Sequence, residues 1–162
     1  MKSITHGVVN MEQVATLLSE YLKERGHDVS NHIVIGTDSQ NFSDTKVVVL
    51  IAIYTEGKGG KFFYDITRIK RISNVRQKLH METSMSLDYA EKLITEFDKI
   101  KEATGFDYSD YCSVGIHVDA GYKGPSGEVI PELVGWIKAM GYDVEVKPES
   151  FVASTIADRI SK

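Results

Sequence analysis

The sequence predicts an α/β domain. Its sheet should be mixed and five-stranded, three antiparallel strands followed by two parallel ones. Helices should flank that sheet, and an extra N-terminal helix should precede it. Three observations carry this prediction. Apolar residues follow strand patterns in the first half and change from a period of two to 3.6 after about Met81. The links between the first three strands, around Ser43-Asp44-Thr45 and Gly57 to Gly60, are short. Only antiparallel neighbours can be joined so briefly, because parallel ones need a long crossover. The later strands alternate with helical segments, as crossovers require.

The spacing predicts a first helix over 11–26. Asn10 can cap it, with Gln13 three residues on in a capping-box arrangement. Val14, Leu17, Leu18, Tyr21 and Leu22 follow helical spacing, and Gly26 is a natural stop. His32 to Asp38 (HIVIGTD) is rich in β-branched residues and reads as a strand. Lys46 to Thr55 (KVVVLIAIYT) is apolar at nearly every position, which suits a strand buried on both faces. Lys61 to Lys70 (KFFYDITRIK) is a third strand. Met85, Tyr89, Leu93, Ile94, Phe97 and Ile100 mark an amphipathic helix from about Met81 to Glu102. Cys112 to Asp119 is a fourth strand, Gly121 to Gly127 a glycine-rich loop, and Glu128 to Met140 a helix stopped by Gly141. Asp143 to Val146 is a short strand and Ser150 to Ile160 a final helix. The order is α-βββ-α-β-α-β-α, in a single domain over 1–162 with its core at 31–162.

Composition excludes several classes. The chain has 162 residues, 19 Lys+Arg, 23 Asp+Glu and one cysteine. That is enough to bury a core without staples, and one cysteine rules out a disulfide framework or a Cys-rich zinc module. The longest apolar run, Val47 to Tyr54, is far short of the roughly 20 residues that span a bilayer. The N-terminal residues show no apolar signal region, so the expected location is cytoplasmic, with no membrane partner. A net charge of −4 argues against a general nucleic-acid coating protein. It does not argue against a nuclease, whose metal site is itself acidic.

Four carboxylates stand at suggestive places. Asp38 ends the first strand, Glu82 opens the second helix, Asp119 ends the fourth strand and Asp158 sits in the last helix. They are remote in sequence but converge if the first and fourth strands are adjacent and parallel. Carboxylates held together repel and so call for cations. Hard oxygen ligands select Mg²⁺ or Mn²⁺ over Zn²⁺. Two such ions about 3.5–4 Å apart suit in-line displacement at phosphorus. Each position also has an ordinary reading: Asp in a turn or cap, Glu82 favouring a helix dipole, Asp158 on a solvated face. The case rests on the four together.

Those motifs, IGTDSQ, HMETS, IHVDAG and STIADR in this order, resemble the ribonuclease H-like superfamily. Within it the chain is similar to the YkuK-like family of RNase H-related nucleases. The resemblance spans roughly Asn31 to Lys162 and leaves the helix over 11–26 outside the family core. It implies an RNase H-like sheet and a metal-dependent nuclease, a hydrolase of phosphodiesters. Asp38 would bridge two Mg²⁺ or Mn²⁺ ions, with Glu82, Asp119 and Asp158 sharing the rest. The implied partner is nucleic acid: RNA, an RNA–DNA hybrid or structured DNA.

Arg68 to Lys78 (RIKRISNVRQK) is basic at five of eleven positions and acidic at none. Arg71, Arg76 and Lys78 from this run, and Lys123 from the glycine-rich loop, are the candidate phosphate contacts. A solvated strand end and an ordinary connecting loop, with Ser126 as helix cap, are the plainer alternatives. His117 shares a strand face with Asp119, as a proton shuttle or as a hydrogen-bonded core residue. His80 is similarly placed before Glu82. Cys112 is expected to be an inert buried thiol and Trp136 a packing residue. Ser39 and Ser126 lack the histidine partner that a nucleophile requires. Two readings compete with a nuclease. One is a catalytically weak nucleic-acid-binding or scaffold module on the same fold. The other, an actin-like ATPase, needs two such domains, and this chain is too short for them.

Overall fold

The structure is a computed structural model that describes residues 1–147. Its strands are β1 (Lys2–Ser3), β2 (Gly7–Val8), β3 (Asn31–Asn41), β4 (Thr45–Thr55), β5 (Gly59–Ile69), β6 (Val114–Val118) and β7 (Asp143–Val146). Its α-helices are α1 (Met11–Arg25), α2 (Val75–Thr104) and α3 (Ile130–Ala139), with a 3₁₀ turn at Tyr108–Asp110. All seven strands share one sheet, in the order β2-β1-β5-β4-β3-β6-β7. The expected five-stranded core is there as β5-β4-β3-β6-β7. β3, β4 and β5 are antiparallel, and β6 and β7 are added in parallel. The final helix expected at Ser150 to Ile160 lies outside the described residues.

The sheet has two strands more than expected. A hairpin, Lys2↔Val8 and Ser3↔Gly7, precedes α1 and joins the edge of β5 through Lys2↔Tyr64. Strands of two residues are too short to show a period, so the sequence reads there as a tail. The first structured element is therefore a strand rather than a helix. α1 itself forms as expected. Asn10 Oδ1 accepts from Gln13 N at 2.8 Å, and Gln13 Oε1 accepts from Asn10 N at 2.8 Å.

Two boundaries move in ways that matter for the site. α2 begins at Val75, not near Met81, because Asn74 caps it by accepting from Gln77 N at 3.0 Å. Its first turns are mostly exposed and basic, which hid the apolar period. Glu82 thus lies about two turns inside the helix, where the helix dipole no longer explains it. β3 runs on to Asn41, so Asp38 lies within the strand rather than at its end. α3 begins at Ile130 with Val129 before it and no side-chain cap. Ser126 contributes only its carbonyl, accepting from Val129 N at 3.1 Å.

Strand alternation sorts the core into two faces. Ile33, Ile35, Val49, Ile51, Phe63 and Ile116 lie on one face, and α1, α2 and α3 pack against it in a single cluster. A fully buried leucine there, such as Leu18, Leu22 or Leu93, contributes about 1.5–3 kcal/mol. Val34, Leu50 and Ala52 form a smaller cluster on the opposite face, with Tyr54 and Phe62 packed against it.

One buried polar pair fixes α2 on β3. Thr37 Oγ1 and Ser86 Oγ are 2.7 Å apart and buried. Ser86→Ala should leave the Thr37 hydroxyl without this partner and cost about 1–3 kcal/mol. Urea unfolding checks this: the midpoint should fall with the slope unchanged. An unmoved midpoint would show that the pair does not hold the helix.

Candidate metal centre

The site stands where β6 ends beside β3. The parallel register runs Ile33↔Val114, Val34↔Gly115, Ile35↔Ile116 and Gly36↔His117 and goes no further. Two residues onward, Asp38 is level with Asp119. Asp119 directly follows β6, and Asp38 lies on β3 beyond its last pair with β6, at the end of the parallel pairing where α/β folds build sites. Past Gly36 the β6 side of β3 carries no further β6 pairing, so side chains from both faces can meet there.

Glu82 arrives from α2. Thr37 and Ser39 alternate with Asp38 and face the helix, and Ser39 Oγ donates to Glu82 Oε2 at 3.0 Å. Glu82 and Asp119 line the same narrow cavity with Thr37, Ser86 and His117. Its volume is about 10 Å³, near the limit for one water molecule. Glu82 is buried, and burial pushes its pKa up to about 8. The nearby charge of Asp38 pushes the same way, as does that of Asp119 more weakly. The Ser39 hydrogen bond and the Lys78 ammonium, one turn earlier on α2, offset this in part. Asp119 meets a cation directly. Lys147 Nζ lies 2.8 Å from its Oδ1, in an ion pair bent away from hydrogen-bond geometry.

Three of the four expected carboxylates, Asp38, Glu82 and Asp119, therefore approach one another at one end of the sheet. Asp158 lies outside the described residues. Among the described residues no three His, Cys, Asp or Glu side chains form a ready ion cage. The donor chemistry nevertheless fits a hard divalent cation. It is all oxygen, it carries excess negative charge, and burial together with the Asp38 charge keeps the Glu82 carboxyl protonated near neutral pH.

The candidate phosphate contacts divide. Arg76 is committed to Glu132 of α3 at 2.6 Å. Arg71 donates to the Phe42 carbonyl. Each thus has a partner remote in the chain. Lys78 and Lys123 carry no ion pair among the described residues. His80 faces Glu132 at 3.3 Å and stacks on Trp136, so both tie α2 to α3. His117 is buried and 3.4 Å from Glu145, and it also lines the cavity of Glu82 and Asp119. Burial pushes the Cys112 thiol up to about 12, which keeps it protonated and inert. The residues that sequence reasoning missed are Thr37, Ser39, Ser86 and Lys147. Period-two alternation about Asp38 was the available signal for the first two.

A mixed sheet of this order, with three antiparallel strands followed by parallel ones joined through helices, is that of the ribonuclease H-like class. A family model described as Ribonuclease H-like matches residues 13–162, and the chain belongs to that family. The match starts inside α1, so this helix falls within the family region rather than before it; only the β1–β2 hairpin precedes it. The uncharacterized protein YkuK of Bacillus subtilis (strain 168) is 31% identical over 135 residues, covering 79% of this chain and 77% of the relative. No solved structure matches the chain. Among the described residues no helix is long and apolar enough to cross a membrane.

Glu82 makes stability depend on pH. Its pKa is about 8 when folded, against an ordinary value of 4.5. Between those values the folded chain holds the proton more tightly than the unfolded chain. The stabilisation is complete below the unfolded value and is lost as pH rises through about 8. In EDTA the loss should be about 1.4 kcal/mol per pH unit within that window. Thermal melts from pH 5 to 9 should show a falling Tm for the wild type and a flatter curve for Glu82→Gln. Parallel curves would contradict the buried, protonated carboxyl.

Proposed function

We propose that this protein is a divalent-metal-dependent nuclease that hydrolyses phosphodiester bonds in nucleic acid. The observation that carries the proposal is the meeting of Asp38, Glu82 and Asp119 beyond the last β3–β6 pair. Family membership supports the class of fold, and the chemistry rests on the carboxylates.

In this reading Asp38, Glu82 and Asp119, with Asp158 from the C-terminal segment, hold two Mg²⁺ or Mn²⁺ ions. When bound, the ions supply water activation and charge neutralisation at the leaving oxygen. The protein's own residues set the stage. The Ser39 hydroxyl orients the Glu82 carboxyl. Thr37 and Ser86 hold α2 at fixed height above β3. Lys147 balances Asp119. Lys78, near enough to Glu82 to lower its pKa, and Lys123 would meet phosphate oxygens. In-line attack of water on phosphorus leaves a 5′-phosphate and a 3′-hydroxyl.

Cleavage of labelled single-stranded RNA, RNA–DNA hybrid and structured DNA, in Mg²⁺ and in Mn²⁺, tests the proposal. Asp38→Ala should slow cleavage on the order of 100-fold or more, while circular dichroism stays unchanged. Binding of nucleic acid without metal-dependent turnover in the wild type would instead favour the catalytically weak binding module. Cleavage that persists in EDTA would contradict the metal mechanism.

A further inference from the structure

The carboxylate end of the sheet also displays two exposed aromatic side chains. Phe42, in the β3–β4 turn, is 46% exposed, and Tyr122, three residues after Asp119, is 60% exposed. Phe42 follows the carboxyl end of β3 and Tyr122 that of the parallel β6, so both stand past the strands that carry Asp38 and lead to Asp119.

Phe42 is held in place. Its N–H donates to Asp44 O at 2.7 Å, and its carbonyl accepts from Arg71. The Arg68 guanidinium lies 5.7 Å from the ring centroid and is itself fixed by Asp44 at 2.8 Å. Beneath the turn, Asn41 Nδ2 donates to Ile72 O at 3.0 Å, and Thr45 Oγ1 donates to Asn41 Oδ1 at 2.7 Å. The Tyr122 backbone is equally confined. A Cβ on Gly127 would stand 2.2 Å from Tyr122 O, so the loop closes this tightly only with glycine there. Gly127 N also donates to Gly124 O at 3.1 Å, in a turn where Gly124 has a φ of +96°.

The cations around these rings are few. Arg68 and Arg76 are paired with Asp44 and Glu132, and Arg71 is spent on the Phe42 carbonyl. Lys70, Lys78 and Lys123 carry no ion pair among the described residues. A duplex binder needs an extended positive surface along two backbones, whereas the described residues of this rim offer Lys70, Lys78 and Lys123 outside ion pairs. Exposed aromatic rings with a few lysines suit unpaired bases, whose π-faces are free to stack.

We infer that Phe42 and Tyr122 stack nucleobases beside the carboxylates and thereby select single-stranded nucleic acid over duplex. The inference rests on the nuclease reading for the position of the phosphodiester and adds the substrate class.

Anisotropy of labelled oligouridylate and oligothymidylate, each alone and annealed to its complement, in Ca²⁺, tests this. Wild type should bind single strands tighter than duplexes, with a salt slope near −2 for about three phosphate contacts. Tyr122→Ala and Phe42→Ala should each weaken single-strand binding about 5- to 100-fold, while Tyr122→Phe retains it. The RNA and DNA arms show which sugar is preferred. Preference for duplex, no binding at all, or unchanged binding by both alanine variants would overturn the inference. Cleavage lost in Asp38→Ala but untouched by either aromatic substitution would overturn it and leave the nuclease reading standing. Aromatic-dependent single-strand binding with no cleavage by the wild type would sustain it and overturn the nuclease reading.

Discussion

The parallel pairing of β6 against β3 is the constraint on which the rest of the site depends. It joins two segments about eighty residues apart in the chain and stops at Gly36↔His117. That register sets Asp38 and Asp119 side by side at the sheet's end. A slip of one residue would turn every side chain of β6 to the opposite face. Ile116 and Val118 would then leave the core and His117 would enter it, so burial enforces the register. The apolar pattern of one strand thus places the acidic groups of two.

The third carboxyl reaches the same place by helix packing. α2 crosses the face made by Ile33, Ile35 and Thr37, and the Thr37–Ser86 contact sets its height. Glu82 lies one turn before Ser86, beside Ser39. A lone buried carboxyl would normally be a liability. Here burial and two neighbouring carboxylates hold it protonated near neutral pH. The fold has concentrated negative charge that its described lysines offset only in part. Stability given up at such a cluster is what a cation-binding function would explain.

Much of this was legible in the sequence for physical reasons. Long strands such as β4 show their apolar run plainly, and short links force antiparallel pairing. The Asn10 capping box and the Gly26 stop delimit α1 within a residue. The β1–β2 hairpin was not legible, because two-residue strands have no period. The start of α2 was hidden by exposed basic residues, although Asn74 was a cap in plain view. Asp38, Glu82 and Asp119 stood out because the sequence pattern puts them at strand and helix ends, although only Asp119 lies at one. The fate of Arg71 and Arg76 did not, since Phe42 and Glu132 are long-range partners that only the fold reveals. Ser39, considered only as a nucleophile, proves to orient Glu82.

The central proposal is that Asp38, Glu82 and Asp119 hold a divalent cation. Calorimetric titration of Mn²⁺ into wild type and Asp38→Ala measures this most directly. The account predicts saturable binding to the wild type that is lost or strongly weakened in the variant, with both proteins folded. Equal binding to both would contradict it, because the cation would then lie somewhere other than these carboxylates.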